Sequence, residues 1–274
     1  MTQQYANPVR ASLRRIAAMV LRYLYLMRSS WPRLLELVYW PTLTLLTWGF
    51  LQLYLRQLGT GPVANFAGVF IGAVLLWDVL FRGQLGFSIS FLEEMWARNL
   101  GHLMMSPLRP LEFILSLMVM SLIRVAIGIG PVTFMAMWFF DFNIYSLGFG
   151  LVAFFLNLIL TSWAIGLAVC GLVMRNGLGA EGLAWTLVFL LMPLACVYYP
   201  VSALPPALQY VAYALPPTYV FEGMRAALLQ HVFRTDLMLA ALGLNLVYLG
   251  AGFAAFYGLL AASRRHGTLL STGE

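Results

Sequence analysis

The chain has no lysine; all sixteen of its basic residues are arginine. A P-loop of the Gly-x-x-x-x-Gly-Lys-Ser/Thr type needs a lysine to reach the phosphates, so nucleotide hydrolysis by that device is excluded. Charge of either sign is scarce. Charged residues make up 9% of 274 positions and hydrophobic residues 62%, whereas a soluble domain carries about 25% charged residues. So little polar surface does not cover a water-soluble globule. There are two cysteines, Cys170 and Cys196, both in apolar segments. Two such residues without partners make neither a disulfide framework nor a metal site and read as small buried apolar groups. The three histidines, His102, His231 and His266, lie at or outside the ends of the apolar runs. Axial ligands for a membrane haem are therefore missing. Neither metal-ligand spacing nor a nucleophile–base–orienter set is present, which argues against an intramembrane enzyme. No cofactor is expected.

What is abundant is apolar sequence in long runs, several above the roughly 18 to 20 residues that cross a bilayer. The pattern predicts an all-α membrane protein with six spans, at about Leu34–Leu55, Val63–Leu92, Leu111–Phe140, Leu147–Met174, Gly182–Tyr198 and Leu237–Ser263. Residues 1–33 precede them, residues 34–263 form one membrane domain, and residues 264–274 make a tail. In the first segment Arg10, Arg14, Arg15, Arg22 and Arg28 share one side of a helix. Val9, Leu13, Ile16, Val20, Leu24, Met27 and Trp31 share the other, as in an amphipathic helix lying in the interface with its arginines toward anionic headgroups. Arg22 interrupts the apolar core and no small-residue cleavage site follows, which separates this helix from a signal peptide. Aromatic residues near span ends, among them Trp31, Trp40, Trp138, Tyr145 and Tyr198, fit interfacial belts.

Between the fifth and sixth spans, Tyr198 to His231 is apolar but cut by Pro200, Pro205, Pro206, Pro216 and Pro217. Proline opens helices and breaks their interiors, so two short helices are expected, about Pro206–Ala214 and Pro217–Leu229. Neither spans, and the pair reads as a re-entrant hairpin or as an outer loop on the membrane. Arginine placement orients the chain. With the N-terminus inside, eleven arginines fall in inner segments and three (Arg56, Arg225 and Arg234) in outer ones, so both termini are expected in the cytoplasm. The net charge of +6 then reflects membrane-facing arginines rather than a nucleic-acid surface.

Ser90 to Pro110, SFLEEMWARNLGHLMMSPLRP, is a polar interruption between the second and third spans. As a helix it places Leu92, Met95, Trp96, Leu100, Leu103 and Met104 on one face, and Glu94, Arg98 and His102 at steps of four on another, with Glu93 beside them. Glu94 and Arg98 stand in the favourable order for an i, i+4 pair. Within the spans, Asp78 lies fourteen residues before Leu92 and Arg124 fourteen after Pro110, each about 21 Å along its helix. A charge facing lipid costs about 2.5–3.5 kcal/mol. An Asp78–Arg124 or Asp78–Arg82 pair is therefore expected, either as glue between two helices or as a polar patch on a translocation route. Glu222 and Arg225, three apart, form a local pair.

The segment EEMWARNLGHLMMSPLRPLEFI resembles the first cytoplasmic loop of ABC-2-type transporter permeases, where an acidic start leads through a short helix to a small-residue-Pro-Leu turn. LPPALQYVAYALPPTYVFEGMRAAL is similar to that family's region before the last span, and the order of elements matches. The resemblance implies the permease subunit of an exporter in a bacterial inner membrane, itself no enzyme, with two copies pairing with two separate ABC ATPase subunits. It implies that the loop helix is a coupling helix on which Glu93, Glu94, Arg98 and His102 face the ATPase, with Arg14 and Arg15 nearby, and that Glu222 and Arg225 belong to an outer gate. The cargo implied is amphipathic, such as lipid-linked glycans, lipo-oligosaccharides or drugs. The alternatives are a proton-coupled carrier using Asp78, and a non-catalytic membrane anchor.

Overall fold

The computed structural model describes residues 8–58 and 67–266. The part of the RQLGTGP turn from Gly59 onward, the first residues of the second span and the tail beyond His266 lie outside the described residues. Among those described there is no strand. The helices are α1 (Pro8–Arg28), α2 (Trp31–Leu58), α3 (Ala67–Trp96), α4 (Leu100–Met105), α5 (Pro110–Phe140), α6 (Phe149–Asn176), α7 (Leu183–Leu194), α8 (Pro206–Tyr213), α9 (Pro216–Gln230) and α10 (Thr235–His266).

Five of these, α2, α3, α5, α6 and α10, are long and apolar enough to cross a membrane. The expected fifth crossing at Gly182–Tyr198 differs. Its helix, α7, has 12 residues and is about 18 Å long, short of the roughly 30 Å hydrocarbon core. Pro193 sits in its last turn, and Cys196 follows in the left-handed region at φ 53°, so the helix cannot continue.

Helix α3 is the axis of the bundle. In its most apolar window 83% of residues are buried, against 17% in α2 and 22% in α10, which are peripheral. The interior divides into two apolar cores stacked along α3. One joins Leu75, Leu76 and Leu80 to Val132, Phe154 and, from α9, Phe221 and Met224. The other joins Phe87, Phe91 and Met95 to Phe113 and Leu117 and, from α1, Met19, Tyr23 and Met27. Helix α9 therefore packs into the bundle, against α3, α6 and α10, while α8 leaves Tyr210 and Tyr213 exposed.

In lipid there is little hydrophobic drive to pair helices, so close packing and interhelical hydrogen bonds must do it. Helices α6 and α10 show both. A Cβ on Gly252 would come within 2.9 Å of the Ala164 carbonyl oxygen, so glycine there permits the approach. Nearby, Thr161 Oγ1 donates to Asn245 Oδ1 at 2.6 Å, and Asn245 Nδ2 donates to the Asn157 carbonyl at 2.9 Å. Asn245→Ala is expected to cost about 1 kcal/mol, and Gly252→Val distinctly more because its clash is with backbone; unfolding titrations in mixed micelles read the order directly.

Candidate functional site

The predicted single helix across Ser90–Pro107 is two. Helix α3 runs on to Trp96 and stops in a backbone motif in which Arg98 N–H donates to Met95 O (3.0 Å) and Asn99 N–H to Glu94 O (2.9 Å). This is a Schellman ending, usually built on glycine. Here Arg98 takes the left-handed position at φ 53°. The expected i, i+4 Glu94–Arg98 pair is thereby corrected, because the turn carries Arg98 off the helix that bears Glu94. Arg98 and His102 are exposed, as is Met105 on the short α4. Asn99 does not cap α4; its Nδ2 donates to Glu94 Oε2 at 2.8 Å.

The two acids turn inward rather than toward solvent. Glu94 is fully buried and pairs with Arg22 of α1 at 3.0 Å. Burial, reinforced by the Glu94 charge, pushes the adjacent Tyr23 phenol well above its usual range, so it stays neutral. Glu93 sits between two cations, Arg124 of α5 at 3.2 Å and Arg33 of α2 at 3.4 Å. A third acid completes the arrangement. Glu112, buried in the first turn of α5, accepts from Arg15 Nε at 2.8 Å, Ser12 Oγ at 2.7 Å and its own Arg109 N–H at 2.9 Å. Three carboxylates thus fasten α1, α2, α3 and α5 at one end of the bundle. Arg14 stays exposed, while Arg15 and Arg22 are taken from the arginine face that was expected to meet headgroups. The buried stripe of α1 is Met19, Tyr23 and Met27; Val9 and Leu13 remain exposed on its apolar side.

Glu112 was absent from the sequence reading. The signal was Arg-Pro-Leu-Glu, a glutamate at the third helical position that reaches back to the backbone before the helix.

The Asp78–Arg124 pairing does not form, and helix register explains why. Gly86 faces Ser121 and Arg124, and Gly128 faces Arg82. Asp78 therefore lies opposite the region of residue 132, eight residues and about 12 Å from the level of Arg124. Leu92 and Pro110 are not level, as the sequence arithmetic assumed, because α3 continues past Leu92 and α5 starts below it. Arg124 instead extends along α3 to Glu93, the usual behaviour of a long cation bent toward a helix end. Asp78 keeps the other expected partner, Arg82, at 4.0 Å.

At the far end, Glu222 and Arg225 of α9 pair at 3.0 Å. Arg225 Nη1 donates to the Cys196 carbonyl at 2.9 Å, and Glu222 accepts from Val201 N–H at 2.8 Å. Together they strap the irregular chain after α7 to α9, satisfying backbone groups that lipid cannot.

Residues 14–229 match the family model of ABC-2 type transporters. The chain belongs to the ABC-2 type transporter family. The match runs from within α1 to the end of α9 and so includes the carboxylates at both ends of the bundle and the arginines that pair with them. ABC-2 membrane proteins are transport permease subunits that partner an ABC ATPase. Comparison with curated proteins gives no individual match.

Glu93→Gln is expected to destabilise this ABC-2 permease by about 3–5 kcal/mol, since it strands Arg124. Arg33→Gln, at an exposed partner, should cost at most about 1 kcal/mol. Combining Glu93→Gln with Arg124→Met should recover part of the loss, whereas Asp78→Asn and Arg124→Met should simply add; double-mutant cycles on unfolding in detergent measure both.

Proposed function

We propose that this chain is the membrane half of an ATP-driven exporter, working as a homodimer with two ATPase subunits in a bacterial inner membrane, both termini cytoplasmic. The observation that carries the reading is the division of labour around α3's end. A small exposed tip holds Arg98, His102 and Met105, directly below a carboxylate with no exposed surface. In this reading α4 and the turn before it are the coupling element. Arg98, His102 and Arg14 contact the ATPase. Glu93, Glu94 and Arg15 transmit rather than touch, because their ion pairs bind the tip to α1, α2 and α5. Force on the tip then moves four helices together.

At the opposite end, α8 and α9 form the re-entrant pair, and α7 with the strapped segment after it completes a sixth crossing. Support comes from α9 packing among three spans and from the Glu222–Arg225 strap; in this reading that end is the outer gate. The exposed face of α2 leaves room for a second copy. Asp78 and Arg82 of α3 and Arg124 of α5 brace the interior; the cargo is amphipathic, moved by alternating access or a gated lateral path.

The test separates tip from clasp. Arg98→Glu with His102→Glu is expected to cut ATPase co-purification at least tenfold while leaving the fold intact. Arg98→Gly, which relieves about 1 kcal/mol of left-handed strain, should be more stable than wild type yet dock more weakly. Glu94→Gln should retain docking and lose most transport-stimulated hydrolysis. Unchanged co-purification in the first variant removes the docking role, and full transport in Glu94→Gln removes the clasp.

A further inference from the structure

Helices α3, α5 and α6 enclose a cleft of about 580 Å³ at the end of the bundle away from α1. Its wall is apolar, with Leu75, Val79, Val125, Ile129, Val152 and Phe155 prominent. The side-chain polar atoms of its lining are the hydroxyls of Thr133 and Tyr145, 2.8 Å apart and bonded to each other. Thr133 Oγ1 donates to the Gly130 carbonyl at 2.7 Å, so the Tyr145 O–H serves the bond between the two. Among the described residues no charged side chain lines the cleft; Asp78, Arg82 and Arg124 are not part of its wall.

Along α5 the lining runs from Leu122 to Thr133, about 16 Å at 1.5 Å per residue. That is close to half of a hydrocarbon core about 30 Å thick. Exposed apolar side chains flank the cleft: Phe134 and Trp138 follow Gly130 on α5, and Phe149 precedes the exposed lining residue Val152 on α6. Gly130 is a half-buried residue of the cleft wall. A Cβ there would meet nothing within 4 Å, so no packing contact requires glycine, although glycine costs a helix interior about 1 kcal/mol relative to alanine. What its small size provides is depth.

We propose that this cleft holds one acyl chain of a bilayer phospholipid, in the leaflet away from α1. The bilayer is what the exposed apolar side chains beside it meet. The wall offers an apolar chain of one-leaflet length everything it needs, and offers a cargo headgroup nothing.

The test uses the full chain reconstituted in phosphatidylglycerol vesicles with a trace of phosphatidylglycerol carrying a photoreactive acyl chain. Labelling of the peptides 122–133 and 151–155 is expected at least fivefold above that of the lipid-exposed face of α10. Gly130→Leu, which fills open space, should reduce that labelling at least tenfold with unchanged thermal unfolding. Val152→Trp should do the same from the facing wall. Labelling of the cleft peptides no stronger than α10 in the wild type overturns the proposal whatever the variants do, and so does undiminished labelling in a folded blocked variant. Displacement of the label by a polyprenyl-linked oligosaccharide added at a few per cent of total lipid, but not by the same amount of unlabelled phosphatidylglycerol, identifies a cargo site and likewise overturns it.

Discussion

A carboxylate taken out of water needs a cation brought against it. Glu94 meets that constraint with Arg22, Glu93 with Arg124 and Arg33, and Glu112 with Arg15. The cations come from three helices, Arg15 and Arg22 from α1, Arg33 from α2 and Arg124 from α5, so satisfying three acids fixes the relative positions of α1, α2, α3 and α5. Breaking any buried member costs about 3–5 kcal/mol, several times what an exposed pair contributes. The end of the bundle that carries α1 is therefore the place where the ABC-2 permease is held by charge, as the α6–α10 contact is held by small residues and amides.

This arrangement gives the short exposed tip its mechanical meaning. The tip alone, α4 and its turn, has six helical residues, too few to be stable in isolation. It is stiffened from above by Asn99 on Glu94 and from the side by Trp96, whose Nε1 donates to Glu181 Oε2 at 2.8 Å. The far end of the bundle is organised on the same logic with different chemistry. There an irregular segment, left by the early end of α7, is tied to α9 by one arginine and one glutamate acting mainly on backbone groups.

Much of this was legible in the sequence, and the parts that were not share a cause. The five long apolar helices, the amphipathic α1, and the short helices at Pro206 and at Pro216 (one residue before the expected Pro217) follow from hydropathy and proline placement, which are local. The Asp78–Arg82 and Glu222–Arg225 pairs were readable because both members lie within one helical turn. The Asp78–Arg124 pairing was not, since it required the register of two antiparallel helices, and a few residues of offset move a partner about 12 Å. The direction of Glu93 and Glu94 was hidden similarly. Amphipathic spacing indicates that charges share a face, but not that arginines from α1, α2 and α5 will cover it. Arg98 in a left-handed turn, where glycine is usual, concealed the helix break itself.

The central claim is that α1 and the end of α3 move as one body. Spin labels at Ala18 of α1 and Ala97 beyond α3, both exposed, measure this by pulsed electron–electron resonance in the transporter with its ATPase, nucleotide-free and ATP-trapped. The account predicts an unchanged Ala18–Ala97 distance between the two states, while the Ala18–Val247 distance to the peripheral α10 shifts. An Ala18–Ala97 distance that changes by several ångströms on trapping would contradict it.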